Sequence, residues 1–316
     1  MYPTPADPTL GTFVAEQVSA LRSHPRIARC DVLFINGRIH RWNYARGFTQ
    51  VRDRLRNGPY DVIHAHYGLT GAVATSQSRV PVVVTYHTGD IELTRWQRAV
   101  SRWAGRRAAA NICVSLRSKS VLGLPAEYLP CGIDLAAFAP KNRIRARRNF
   151  GVPEGALAVL FPSTPSRPKK RYPRFVSVCD ALRERGHHVH ELRLEGLTRD
   201  EVPHLLAAAD VMVLTSTQEG SPTAVMEAMA TGLPVVATPV GDVMSMLADA
   251  EHARVLDFDA VRFADAVEAV VNDAPKARQP FTGARRFDQQ LVVERLVEIL
   301  SRAVRSARSS APRGGA

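Results

Sequence analysis

The stretch "LTSTQEGSPTAVMEAMATGLPVVATPVGD" (residues 214–242) decides the fold. It begins inside "DVMVLTS" (210–216), a continuous apolar run that reads as a strand buried on both faces, as in a parallel sheet. The loop "TQEG" follows, and Ser221 and Pro222 suit the N-cap and first turn of a helix. That helix carries "TAVMEAMAT" and stops at Gly232, before Pro234 starts another strand. Glu219 therefore lies at the carboxyl end of a strand and just ahead of a helix N-terminus, where open α/β sheets bind ligands. The amides of Gly220, Ser221 and Thr223 and the positive helix end suit a phosphate. Glu227 stands five residues past Pro222, roughly 7.5 Å along the axis. Carboxylates so placed straddle an anion and are poorly placed to flank one bond as an acid–base pair. The spacing suits a nucleotide-sugar, with one glutamate accepting from sugar hydroxyls and the other from the ribose.

The same alternation runs along the chain. Strands are expected at 31–35, 61–66, 80–87 and 110–115, then at 157–163, 189–196, 210–216, 233–238 and 253–257. Helices are expected over 11–24 and 94–108, then around 172–185, 200–208, 222–231, 260–272 and 288–306. This is the pattern of stacked βαβ units. It predicts two doubly wound, Rossmann-like domains at 1–150 and 151–287, a helix over 288–306 crossing back to the first, and a disordered tail at 307–316. The join falls in "DLAAFAPKNRIRARRNFGVPEG" (134–155), where a Pro and a basic run precede a fresh strand. The chain opens on the loop "MYPTPADPTLG" and enters a helix directly, whereas a doubly wound domain opens on a strand. The first strand is therefore expected to be missing, with a loss of stability.

Composition bounds the class. The chain has 316 residues, 45% hydrophobic and 23% charged, with no apolar run of about 18 residues, so no membrane-spanning or secretory segment is expected. Cys30, Cys113, Cys131 and Cys179 are scattered without a Cys-x-x-Cys pair, which points to buried free thiols in a reducing compartment. The net charge of +12 is uneven: residues 1–150 hold 22 Lys and Arg against 9 Asp and Glu, and the remainder 20 against 21. An anionic partner for the first half follows: a membrane surface, a phosphorylated substrate or, less favoured, a nucleic acid. Nucleic acid is not expected, because no recognition signature accompanies the basicity. Arg95, Arg98, Arg102, Arg106 and Arg107, with Trp96 and Trp103, form a cationic and aromatic helix suited to anionic headgroups. An ordinary basic helix with both Trp packed inward is the alternative.

The segment "EGSPTAVMEAMATGLPVVATPVGD" resembles the Glu-x7-Glu signature of retaining glycosyltransferases of family four, which have the GT-B fold. "PTLGTFVAEQVSAL", "DVIHAHYG", "VVVTYHTGD" and "YLPCGIDLAAF" resemble supporting segments of the same family. The resemblance implies two facing parallel-sheet domains, transfer with retention of configuration, and a nucleotide-diphosphate-sugar as co-substrate without metal or other cofactor. It assigns Glu219 to the donor sugar, the amides around Gly220 and Ser221 to the sugar or diphosphate, and Glu227 to the ribose. Lys170 matches the family lysine that neutralises the diphosphate. The accompanying arginine is replaced by Pro165, and Arg167 is its substitute. Gly11 is placed at the phosphate or sugar and His87 beside the donor sugar, while Gly196, Leu197 and the 163–171 loop shape the pocket on which base and sugar choice depend. His64 and His66 share a strand face without an obvious third metal ligand. The implied enzyme is a bacterial, metal-independent glycosyltransferase, cytoplasmic or peripheral at the inner membrane face. Its acceptor is a glycan, lipid-linked or small-molecule compound in polysaccharide or glycolipid synthesis. An inactive transferase-like scaffold and a GT-B epimerase stay open as alternatives.

Overall fold

A computed structural model describes the chain apart from Met1, residues 3–10, Arg38, Arg41, residues 92–93, Lys276, residues 311–316 and the side chains of Asp90 and Ser310. The chain divides into two compact units, Met1–Gly132 with Gln289–Ala316, and Ile133–Asp288.

The first unit holds a parallel sheet of β1 (Ile63–His66), β2 (Val82–Tyr86), β3 (Ala110–Cys113) and β4 (Glu127–Tyr128), paired in that order. Strand residues alternate between two apolar layers. Val83 and Ile112 pack with Leu21 of the helix Thr12–Arg22 and with Leu296 and Val297 of the helix Gln289–Ser310. Val82, Val84 and Tyr86 pack on the other side against Ala74, Ile91 and Leu122. The terminal helix runs to Ser310, so residues 307–310, expected in a disordered tail, are helical.

The second unit holds a parallel sheet of β5 (Leu157–Phe161), β6 (Val189–Arg193), β7 (Val211–Leu214), β8 (Val235–Ala237) and β9 (Ala253–Val255). Its order is β6-β5-β7-β8-β9. Val159, Phe161, Val211 and Val213 face Phe175, Val178, Phe263 and Val267 of the helices Tyr172–Glu184 and Ala260–Asp273. Ala158, Leu160, Met212 and Leu214 face the opposite layer, which includes Leu205, Met226 and Met229. Both faces are covered, and this explains why β5, β7 and β8 read as continuous apolar runs instead of alternating ones.

Three features differ from the sequence-based expectation. Residues 133–150 pack with the second unit, since Ile133, Phe138 and Ala146 are buried in its core. The helix Arg143–Asn149, which carries the basic run at the expected join, directs Arg143 and Arg147 onto Asp210 beside β7. Arg147 Nη1 lies 2.9 Å from Asp210 Oδ2, and the Ala158 amide donates to the same oxygen at 2.7 Å. The charge asymmetry survives this reassignment: the first unit has 22 Lys and Arg against 10 Asp and Glu, the second 20 against 20.

Residues 31–35, "DVLFI", form no strand. They are separated from β1 by a cavity of about 290 Å³ lined by Leu33, Ile35, Val51, Ile63, Ala65 and Val73 among others. A strand needs a hydrogen-bonding neighbour about 4.8 Å away, and across this hollow the segment has none among the described residues. β1 is the edge of the four-stranded sheet formed by the described residues. The opening loop expected to follow an absent strand falls largely on residues 3–10, outside the described residues. The helix Trp42–Asn57 was not expected; it buries only Gly47 and Val51, too few apolar positions for a visible period.

Candidate functional site

In the second unit the chain leaves β5 outward to β6, then returns past β5 to β7. The crossover connections diverge at the carboxyl ends of β5 and β7, and such a switch point leaves a crevice for ligands. The loop after β5 carries Arg167 and Lys170, and the loop after β7 carries Glu219, Gly220 and Ser221. Lys170 ends a short 3-10 turn, Pro168–Lys170, and its Nζ donates to Glu219 Oε1 at 2.6 Å. Both side chains are largely buried, 17% and 11% exposed, so solvent screens this ion pair less than a surface pair. Backbone ties hold the two loops together: the Thr217 amide donates to the Lys169 carbonyl at 2.9 Å, and Thr215 Oγ1 to the Lys170 carbonyl at 3.1 Å. Arg167 precedes the turn and is exposed.

Glu219 leads into the helix Thr223–Thr231. The N-cap is Pro222, one residue later than the Ser221 cap expected from the sequence, and no side chain caps the first turn. Ser221 Oγ instead lies 3.9 Å from Met246 Sδ. The Val225 amide donates to the Pro222 carbonyl at 3.0 Å, so a ligand at this helix end would meet the amides ahead of it. A second turn braces this loop from behind, because the Asp242 amide donates to the Gly220 carbonyl at 2.8 Å. The approach requires a glycine at 241, with φ +56°, where an added Cβ would fall 2.2 Å from the Gly220 oxygen and 2.7 Å from that of Glu219.

Glu227, on the second turn, is 3% exposed among the buried side chains of Val225, Met226, Ala228 and Met229. A carboxylate in such a place needs a counter-charge. Arg199 supplies it, with Nη1 2.5 Å from Glu227 Oε1. Arg199 follows Gly196 and Leu197, the pair expected to shape the pocket for base and sugar; Gly196 is exposed with φ +70° and Leu197 is partly buried against the core. Sequence reasoning missed Arg199. The capping box of Thr198 and Glu201 marks a helix start there, but nothing local shows which carboxylate the intervening arginine reaches.

The remaining expected residues, Gly11 and His87, belong to the first unit. Gly11 is the left-handed N-cap of the helix Thr12–Arg22 at φ 70°. Phe13, two residues on, stacks obliquely on His87 with ring centroids 5.0 Å apart. His87, just past β2, has Nε2 3.2 Å from His66 Nδ1. His64 Nε2 lies 2.8 Å from Thr85 Oγ1, and its ring is 4.5 Å from that of His66. Burial lowers all three imidazoles: His64 to about 4, His87 to about 3, and His66 well below its ordinary value. Desolvation disfavours the charged form, and each histidine is accordingly neutral at pH 7. Among the described residues no group of three His, Cys, Asp or Glu is placed to hold a metal ion.

The helix Arg95–Arg107 exposes Trp96 (52%) and Trp103 (46%), so neither is packed inward. Three of its arginines are engaged with backbone carbonyls. Arg98 reaches Ile91, Arg102 reaches Leu122, and Arg107 reaches Thr75, at 2.9, 2.8 and 3.1 Å. Among the described residues no helix is long and apolar enough to cross a membrane.

Comparison with known proteins agrees with this architecture. Residues 9–137 match the family model Glycosyltransferase Family 4, and residues 166–273 match Glycosyl transferases group 1. The chain is 30% identical over 276 residues to the D-inositol 3-phosphate glycosyltransferase of Pseudarthrobacter chlorophenolicus, covering 71% of this chain and 65% of that protein. It is 27% identical over 238 residues to the putative teichuronic acid biosynthesis glycosyltransferase TuaC of Bacillus subtilis, covering 66% of this chain and 60% of the relative. The matched region thus spans somewhat less than two thirds of either relative. Among solved structures, Anabaena HepE in complex with UDP shares the fold with a TM-score of 0.66 at 20% identity, over 82% of each chain. Two parallel-sheet α/β units, both family models and these relatives together show that the chain belongs to the family-four, group 1 type of glycosyltransferases, with the GT-B fold.

Proposed function

We propose that the chain transfers a sugar, with retention of configuration and without a metal ion, from a nucleotide-diphosphate-sugar to a glycan, lipid-linked or small-molecule acceptor. The observation that carries this reading is the contact between Lys170 and Glu219 across the switch point of the second sheet. Glu219 accepts hydrogen bonds from the donor sugar, and Glu227 accepts from the ribose. The amides of Gly220, Ser221 and Thr223 meet the diphosphate. As the bond from the anomeric carbon to the diphosphate breaks, the acceptor hydroxyl attacks from the same face and passes its proton to the departing diphosphate oxygen. The departing charge is stabilised by Lys170, by the exposed Arg167 and by the uncapped helix end, which is electrostatic catalysis by preorganised groups. Gly196 and Leu197 border the base. In the first unit, Gly11 and the neutral His87 are the candidates for substrate contact.

The relatives include glycosyltransferases named for inositol phosphate and for teichuronic acid, which favours a phosphorylated or cell-envelope acceptor. The excess of basic residues in the first unit and the exposed Trp96 and Trp103 favour an anionic membrane surface, with the enzyme peripheral on its cytoplasmic side. A thermal-shift screen against UDP-, GDP-, ADP- and TDP-sugars, with and without Glu227→Ala, tests the donor site. A donor-specific shift that the variant abolishes supports the reading. No shift with any of the four refutes it.

A further inference from the structure

We propose that Arg199 is a positioning residue that fixes the Glu227 carboxylate and so governs how strongly the chain discriminates for a ribose diol. This inference rests on the reading of Glu227 as the ribose acceptor. Three observations carry it. Glu227 is 3% exposed, and its partner Arg199 stands 28 positions earlier in the chain, with Nη1 2.5 Å from Oε1. The guanidinium is held from a second side, its Cζ 4.7 Å from the centroid of the Phe138 ring. The backbone just ahead of Arg199 is pinned by the capping box, in which Glu201 Oε2 accepts from the Thr198 amide and hydroxyl, each at 2.8 Å.

These contacts fix a flexible side chain at its root, its tip and its flat face. A buried carboxylate without a counter-charge would turn toward solvent or lose its charge, and either change spoils an acceptor-only site. An ionised carboxylate offers about four lone-pair positions, so it can accept from a guanidinium and from the hydroxyls of a diol at once. Arg199 need not leave for the ribose to bind; it aims the group that the ribose meets. Because only Thr198 separates Arg199 from Gly196 and Leu197, displacement of that loop by the base would be transmitted to Glu227 through the Arg199 side chain.

The test is equilibrium binding of UDP and of 2′,3′-dideoxy-UDP to the wild-type chain and to Arg199→Met, Arg199→Lys and Glu227→Gln, with GDP and ADP and their dideoxy forms run in parallel. The wild type is expected to favour a ribonucleotide over its dideoxy form by roughly tenfold or more, the scale of a charge-assisted hydrogen bond. Arg199→Met should weaken the ribonucleotide by a similar factor and leave the dideoxy form unchanged, so that the preference collapses. Arg199→Lys keeps the charge but not the flat contact on Phe138, and should restore part of the preference. In Glu227→Gln, adding Arg199→Met should change the preference no further. Equal weakening of both ligands in Arg199→Met, or an unaltered preference, overturns the role of Arg199. A wild type without preference for the ribose overturns the reading of Glu227 itself, and a wild type that binds none of the nucleotides overturns the donor site.

Discussion

Acidification should destabilise the first unit through its buried histidines, by an amount the structure sets. His64 and His87 are held down to about 4 and about 3, against 6.5 for an ordinary imidazole, because burial in the β1–β2 cluster disfavours the charged ring. The unfolded chain binds a proton at each site below about pH 6.5, while the folded chain does not until pH 4 or 3. Stability is therefore complete above pH 6.5 and is lost as pH falls, from 6.5 to about 4 for His64 and to about 3 for His87. At pH 5.0 each histidine contributes a loss of about 2 kcal/mol relative to pH 7.5, about 4 kcal/mol for the pair, and His66 adds in the same direction. That is a large share of the roughly 5–15 kcal/mol of a typical domain. The carboxyls of Asp31, Glu201 and Glu268, lowered by their hydrogen bonds, act at lower pH and leave this window to the imidazoles. Urea unfolding followed at pH 7.5 and 5.0 should show the drop, and His64→Gln should reduce it by about 2 kcal/mol. Selective imidazole labelling gives a direct check by NMR. If His64 and His87 titrate near 6.5 in the folded chain, or if His64→Gln leaves the drop unchanged, the reasoning fails.

Gly241→Ala should cost about 2 kcal/mol or more, from the left-handed backbone and from the collision with the Gly220 oxygen at 2.2 Å; loss of nucleotide-induced stabilisation in a melting assay should accompany it. Arg171 is a non-glycine residue at φ 56°, so Arg171→Gly should stabilise the second unit by about 1 kcal/mol and raise its melting point by a few degrees. Lys170→Met leaves the largely buried Glu219 without its cation, and should destabilise by about 3 kcal/mol while lowering kcat at least a hundredfold; near-normal turnover would remove Lys170 from the mechanism. Replacing Arg95 and Arg106 with Gln, or Trp96 and Trp103 with Ser, should weaken retention on anionic vesicles severalfold, and unchanged retention would dismiss the membrane surface.

The alternation of apolar runs with amphipathic segments determined most of the second unit. Its five strands and the helices over 172–184, 202–208, 223–231 and 260–273 fall within a few residues of the expected spans. Hydrophobic period and stop signals such as Gly232 are local properties, and a sheet covered on both faces turns them directly into strands and helices. The Glu219–Gly232 segment was legible for the same reason: a strand end, a loop, a helix start and a left-handed stop are written within a few residues of each other. Tertiary structure decided the rest. "DVLFI" has the composition of a strand and still forms none, since pairing depends on a neighbour that its own residues cannot specify. The basic run at 143–148 falls on the first-domain side of the expected boundary, yet Arg143 and Arg147 pair with Asp210 in the second unit. Arg199 meets Glu227, and His66 meets His87, across 28 and 21 positions of chain. Charge pairing and desolvation act through space, so residues far apart in sequence become partners only after the sheets have brought them within a few ångströms.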